Sequence, residues 1–208
     1  MHALVLGGTG ASGQEIVKLL LNDSHFSRIS IFVRRKVDIE HEKLDIHQID
    51  FSRLNEYKDL VKGDILFSAL GTTKSDAGSK EKQYLVDYTY QYEFAKMASD
   101  NGVPHYSLIS LLGANKHSLF FYPKIKGELE ESVKLLPFNT IQIFQPPSLI
   151  RQKELMRTAE KLSVKFFNRL TALGVLKSLK PLNVKDLALK MIKEAKSSQL
   201  DKINVFSN

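Results

Sequence analysis

The segment Gly7-Gly8-Thr9-Gly10-Ala11-Ser12-Gly13 sets a glycine at every third position directly behind the apolar run Ala3-Leu4-Val5-Leu6. That run is short and unbroken, as expected of a strand buried on both faces of a parallel sheet. Beyond Gly13, residues Ile16, Val17, Leu19, Leu20 and Leu21 fall at helical spacing over 14–21. A chain that leaves a strand at Gly7, turns at Gly10 and enters a helix at Gly13 gathers free backbone N–H groups at the positive end of a helix. A pyrophosphate can reach such groups only where side chains are missing. The pattern predicts a dinucleotide site made by Gly7, Thr9, Gly10, Ala11, Ser12 and Gly13, with the Ser12 hydroxyl at the helix start. The competing reading is a set of glycines that only turns the chain.

The same alternation continues. Ile29 to Val33, Leu44 to Phe51, Asp64 to Leu70, His105 to Ser110 and Ile141 to Phe144 read as strands. A long polar helix is expected from Lys80 to Asp100 and another over 124–136, closed by Pro137, with the remainder mostly helical. Strands and helices in this order predict an α/β fold: a Rossmann-type doubly wound parallel sheet with helices on both faces. We read 1–208 as a single domain, with 146–180 as a small helical lid on the substrate side. Ligands of such sheets lie beyond the carboxyl ends of the strands, so the residues closing each strand are the candidates.

Which dinucleotide binds depends on the end of the second strand. Arg34 and Arg35 stand there, where an NAD site would hold a carboxylate for the ribose 2′-hydroxyl. Guanidinium groups suit a 2′-phosphate, so NADP (NADPH) is favoured over NAD; the alternative is a pair of solvated surface charges. Asp50 and Phe51 close the third strand and could cradle the adenine. Ala69, Leu70, Gly71 and Thr72 close the fourth, and Pro146 follows the sixth.

Tyr122 and Lys126 are spaced i, i+4 and share a face if helical. An ammonium beside a phenol lowers the phenol pKa toward a value useful for proton transfer. The spacing alone is weak evidence, because 7 Tyr and 23 Lys produce about one chance match and Tyr92 with Lys96 is a second. Position favours Tyr122, which follows the fifth strand and so lies at the cofactor edge. Ser110, at the end of that strand, either orients a substrate oxygen or caps backbone.

The series Gly7 to Gly13, Ala69-Leu70-Gly71-Thr72-Thr73, Ser110 to Ala114 and Tyr122 to Glu130 resembles the short-chain dehydrogenase/reductase superfamily. More narrowly, it is similar to the atypical branch of Tat-interacting protein oxidoreductases and their bacterial NAD(P)-binding relatives. The likeness runs from Met1 to about Met191. It implies a Ser-Tyr-Lys catalytic set at Ser110, Tyr122 and Lys126, with Lys126 also on the nicotinamide ribose, and NADPH as cofactor. Two departures stand out. Pro123 biases Tyr122 away from helical geometry. Gln145-Pro146-Pro147 replaces the Arg-Pro that relatives usually carry after the sixth strand.

Composition narrows the setting. The 208 residues include no cysteine, which excludes a disulfide-stapled module, a Cys-ligated metal site and a thiol nucleophile. No metal-binding pattern is found. No apolar run approaches the length of a membrane span, and no signal peptide is read at Met1, so a cytoplasmic monomer or homodimer acting on a small molecule is expected. The formal charge of +7 is unevenly placed, with 17 Lys/Arg against 18 Asp/Glu in residues 1–150 and 13 against 5 in residues 151–208. Lys153, Arg157, Lys161, Lys165 and Arg169 recur every fourth residue. That stripe fits a solvated lid face or a surface for an acidic protein or an anionic membrane. Nucleic acid is disfavoured, since no stacking aromatics interleave with the cations. Beside the reductase reading stands an NADPH-binding regulatory or sensor module that works through a protein partner.

Overall fold

The structure, a computed structural model, describes residues 1–150, 181–197 and 201–207. Seven strands form one parallel sheet in the order β3-β2-β1-β4-β5-β6-β9. They are β1 His2–Leu6, β2 Arg28–Val33, β3 Leu44–Gln48, β4 Ile65–Ser68, β5 His105–Ile109, β6 Thr140–Gln145 and β9 Ile203–Ser207. A two-residue strand β7 (Leu149–Ile150) pairs with β8 (Leu182–Asn183) in a separate small sheet. The order reverses between β1 and β4, which places a crevice at the carboxyl ends of those two strands.

Alternation along each strand divides the core into two layers. Ala3 and Val5 of β1 face α1 (Ala11–Leu21) and α6 (Val184–Ala195) through Ile16, Val17, Leu20, Leu187 and Met191. Leu4 and Leu6 face the opposite layer, where Phe94 of α4 (Tyr90–Asp100) and Leu129 and Val133 of α5 (Phe121–Lys134) pack. The central strands are apolar on both sides because both sides are covered.

Three expectations need correction. The third strand stops at Gln48, and Phe51 instead opens a tight helical segment, Phe51–Leu60, capped by Asp50. The Asp50 Oδ1 accepts from the Ser52 backbone N–H and hydroxyl at 2.9 and 2.7 Å, which turns the chain before it can extend further. The long helix is interrupted: short helices α2 (Lys74–Ala77) and α3 (Lys80–Tyr84) lead into a wide π turn at Leu85–Thr89 before α4 begins. Lastly, the C-terminal region is not simply helical, because Ile203–Ser207 adds the seventh strand beside β6. The expected lid from residue 151 onward, with its stripe from Lys153 to Arg169, lies outside the described residues.

Candidate functional site

Glycine is required in the first loop for stated reasons. Gly7 has φ +85°, and a Cβ there would stand 2.5 Å from the Leu70 backbone nitrogen. A Cβ on Gly13 would stand 2.1 Å from the Gly7 carbonyl oxygen, so the first helical turn packs directly on the loop. Gly10 differs, since its Cβ would meet nothing nearer than 3.4 Å. It is exposed and forms the N-cap of α1 without a side-chain cap bond, and no acidic side chain sits in that first turn. The N–H groups beyond Gly10, on Ala11, Ser12 and Gly13, therefore face an open approach with the helix dipole behind them. Thr9 is exposed at the rim, and the contact of Gly7 with Ala69 and Leu70 brings the end of β4 against the same loop. Gly71 and Thr72 continue that edge.

On the other side of the crevice lies a cleft of about 480 Å³ lined by Arg34, Gln48, Ile49, Asp50, Phe51 and Tyr57. Arg34 is exposed at the end of β2 and lines this cleft; Arg35 is exposed but outside the cleft walls. Asp50 keeps its pKa below the ordinary carboxylate value, first through the Ser52 side chain and then through the Ser52 backbone N–H. Phe51 is buried and packs on Tyr90 with ring centroids 5.4 Å apart, so it forms a wall rather than a free stacking ring. Tyr57 was missed by the sequence reading. Its hydroxyl accepts from the Asp50 backbone N–H at 3.2 Å.

At the carboxyl ends of β4 and β5, Lys126 is buried with 3% exposure. Its Nζ donates to the Ile109 carbonyl at 3.3 Å and stands 3.9 Å from Oδ1 of Asp87, which is fully buried in the π turn. That Oδ1 has no hydrogen bond, while Oδ2 accepts from the Thr72 backbone N–H at 3.3 Å. Burial pushes the Asp87 pKa up and the Lys126 pKa down, each partly opposed by the other's charge. Asp87 was not foreseen; the extra residue of the π turn aims it inward, and such turns recur at functional sites.

Tyr122 sits in the first turn of α5, where Pro123 is tolerated because the missing N–H needs no partner. The loop before it is held over the helix: a Cβ on Gly127 would lie 2.3 Å from the Asn115 backbone, and Asn115 N–H donates to the Pro123 carbonyl at 3.0 Å. The phenol is affected differently from the expectation. Tyr122 is 36% exposed, and desolvation first and the Asp87 carboxylate second still move its pKa up rather than down. The charge of Lys126 is directed to Asp87 and Ile109.

Ser110 is buried, and its hydroxyl donates to Glu130 Oε1 from α5. Gln145 Nε2 donates to both oxygens of that carboxylate, each at 3.0 Å. Pro146 is buried, and its carbonyl accepts from the Leu112 N–H at 2.9 Å, which ties the end of β6 to the loop after Ser110. Thus Ser110 meets Glu130, Lys126 meets Asp87 and the Ile109 carbonyl, and Tyr122, in the first turn of α5, feels the Asp87 charge.

An NAD(P)H-binding family model matches residues 7–134, a span that starts in the glycine loop and ends in α5. The chain belongs to this family. Protein HTATIP2 of Rattus norvegicus is 35% identical over 170 residues, covering 80% of this chain and 70% of that protein. The mitochondrial protein fmp52 of Aspergillus niger is 37% identical over 166 residues, covering 76% and 71%. These relatives identify this NAD(P)H-binding protein as an atypical short-chain dehydrogenase/reductase of the HTATIP2 branch. Among solved structures, the Bordetella bronchiseptica enzyme WbmG in complex with NAD matches with TM-score 0.74 at 12% identity over 100% of this chain and 72% of that one. The Escherichia coli O157:H7 protein ChuY, described as an anaerobillin reductase, gives 0.67 at 14% over 99% and 95%. Such distant likenesses confirm the Rossmann-type fold.

The expected cytoplasmic location is corrected by the same comparison. The fungal relatives, from Scheffersomyces stipitis to Aspergillus niger, are named mitochondrial proteins. Absence of cysteine does not separate these compartments. Among the described residues no helix is long and apolar enough to cross a membrane. The residues present fit an NAD(P) cofactor: the open Gly10 approach suits a pyrophosphate, the Arg34 cleft an adenosine moiety, and Asp87 Oδ1, ion-paired to Lys126 but without a hydrogen bond, lies beside the Gly71 edge, 3.2 Å from where a Cβ would be.

Proposed function

We propose that this protein is an NADP-dependent oxidoreductase that passes a hydride between nicotinamide and a carbonyl or alcohol substrate. The observation that carries the reading is the burial of Lys126 against an incompletely bonded Asp87 at the strand ends. A buried ion pair with an unsatisfied oxygen is a poor way to stabilise a sheet edge, and apolar residues of similar volume would do as well or better. Perturbed groups of this kind concentrate where chemistry is done. Bound nicotinamide supplies or accepts the hydride. Gly7 to Gly13 hold the pyrophosphate, Arg34 takes the 2′-phosphate with Arg35 adding long-range charge, and Asp50, Phe51 and Tyr57 wall the adenine. Lys126 holds the nicotinamide ribose, Ser110 orients the substrate and Tyr122 moves the proton. The Tyr122 phenol is protonated at neutral pH, the form that donates to a carbonyl oxygen in the reductive direction.

A second reading is favoured by a specific observation. Asp87 offsets the Lys126 charge that would otherwise activate Tyr122, which suits a nucleotide-binding regulatory module with little chemistry. The deciding experiment measures NADPH and NADH binding by cofactor fluorescence, then NADPH oxidation across a broad carbonyl panel with Tyr122→Phe as control. Turnover that Tyr122→Phe abolishes supports the oxidoreductase. Tight NADPH binding with no oxidation in any reaction supports the module.

A further inference from the structure

The carboxyl ends of three neighbouring strands are joined by a chain of side-chain hydrogen bonds whose polarity is determined by chemistry. Glu130 is 4% exposed; the Lys126 ammonium acts on it through charge, but among the described residues the two form no ion pair within 4 Å. Its carboxylate is instead held by neutral donors: the Ser110 hydroxyl from the end of β5 and the Gln145 amide from the end of β6. Both oxygens of that carboxylate accept from Gln145 Nε2, which turns Gln145 Oε1 away from it. That Oε1 accepts at 2.7 Å from the hydroxyl of Ser207, at the end of β9. Every donor in the series points toward Glu130. The Ser110 hydroxyl has one proton and two lone pairs, and the proton is committed.

We infer that Glu130 is a positioning residue that fixes the Ser110 hydroxyl with its proton inward, so that Ser110 meets the substrate as a hydrogen-bond acceptor and selects a substrate hydroxyl. The polarity of Ser110 follows from the network alone; the substrate half rests on the oxidoreductase reading of the same cleft. A bare ketone oxygen finds no donor on Ser110 and takes its proton from Tyr122. A hydroxyl on the neighbouring carbon donates to Ser110 Oγ. The substrate class is therefore a hydroxy-carbonyl compound rather than a simple ketone. The Gln145 amide matters to this arrangement, because a cation in its place would draw charge from Glu130 and weaken its hold on the serine proton.

The test has two arms. In the first, protein labelled with carbon-13 at serine Cβ is examined by NMR in equal parts of light and heavy water. The Ser110 signal, identified by its loss in Ser110→Ala, is expected as two isotope-shifted lines because a proton held by a buried carboxylate exchanges slowly. Glu130→Ala should merge them. If that variant does not fold, Glu130→Gln takes its place and should speed the exchange at least tenfold, a charged partner being roughly twice as strong as a neutral one. A single averaged line in the unsubstituted protein, or unchanged exchange in the variant, overturns the positioning role. In the second arm, hydroxyacetone and acetone are compared as NADPH-linked substrates. At least a tenfold preference in kcat/KM for hydroxyacetone, lost in Glu130→Gln mainly through KM, is expected. Equal or reversed preference overturns the substrate class. Turnover of neither overturns the oxidoreductase reading and the substrate class with it, while the NMR result still decides the role of Glu130.

Discussion

Lys126 Nζ lies 3.9 Å from Asp87 Oδ1, in a region where the two side chains are 3% and 0% exposed. The pair carries opposite shifts from a common cause, burial, and each charge is the other's main compensation. Breaking a buried pair from one side leaves an uncompensated charge, which costs about 3–5 kcal/mol in well-formed pairs. Asp87→Asn is expected to lose somewhat less, about 1–3 kcal/mol, because the separation is long and the amide can still accept from Thr72. Adding Lys126→Met should recover much of the loss. Urea unfolding of the single and double variants measures the coupling, and additive losses would show that the two charges do not interact.

The same carboxylate also raises the Tyr122 pKa, after desolvation. Asp87→Asn should therefore lower the phenol pKa. Ultraviolet difference titration against Tyr122→Phe reads this directly. An unchanged or higher pKa would mean that Asp87 and Tyr122 are electrostatically independent.

Gly10 and Gly13 separate the two jobs of the glycine loop. A Cβ on Gly13 runs into backbone at 2.1 Å, whereas one on Gly10 meets nothing nearer than 3.4 Å. Gly13→Ala should destabilise the fold by about 1–3 kcal/mol or more, as overpacking does. Gly10→Ala should leave the melting temperature almost unchanged yet weaken NADPH binding, because it obstructs only the approach to the helix start. Thermal melts and cofactor titrations on both variants distinguish them; equal losses of stability would contradict the geometry.

Arg34 and Arg35 were equivalent in the sequence, but only Arg34 lines the cleft. Removing a charge-assisted contact to a phosphate costs about 1.5–3 kcal/mol, or roughly 10- to 150-fold in affinity. Arg34→Ala should lose that much NADPH affinity with little change for NADH, and Arg35→Ala should lose several-fold less. Isothermal titration with both nucleotides checks it. Equal weakening of NADH by Arg34→Ala would place the guanidinium away from the 2′ position.

The parts of this fold that were legible in the sequence are those specified by neighbouring residues. The strand, glycine loop and first helix occupy residues 2–21 and needed only local spacing, and the central strands showed as apolar runs because they are covered on both sides. What depends on distant packing was hidden. Asp87 reads as one acidic residue in a polar helix until the π turn rotates it toward Lys126, 39 positions away. Glu130 lies in the run Glu128-Leu129-Glu130-Glu131, and nothing local marks the middle carboxylate as the buried one. Its partner Gln145 was noticed only as a departure. The seventh strand is an edge strand whose Ile203 and Val205 face solvent while Phe206, next to Val205, packs inward, so its apolar residues fall on both faces and mark neither. Phe51 was misplaced because the capping by Asp50 outweighed its strand propensity.

Two histidines, one on β1 and one on the edge strand β3, carry a pH dependence of their own. His2, on β1, bonds through Nε2 to the Ser30 hydroxyl at 2.9 Å, and His47, on β3, stacks on Phe32 with ring centroids 5.1 Å apart. Burial is the largest influence on both and lowers both pKa values, with Arg28 acting in the same direction and Asp45 against it. In the unfolded chain each imidazole takes up its proton near pH 6.5, while in the folded chain it does so only at lower pH. The folded state thus binds fewer protons in that interval, and stability, full above about pH 6.5, falls as the pH drops toward the folded values. The slope should not exceed about 1.4 kcal/mol per pH unit per histidine. Carboxylates paired in the fold, such as Asp23 with Lys196 at 2.6 Å, begin to contribute only at lower pH still. Urea unfolding between pH 7.5 and 5.0 should therefore show a decline that His47→Gln makes shallower. Asp87, whose pKa burial raises, acts in the opposite direction as the pH falls, so the histidine contribution is read from the difference between variant and unsubstituted protein, and a decline of the same slope in both would remove His47 from the account.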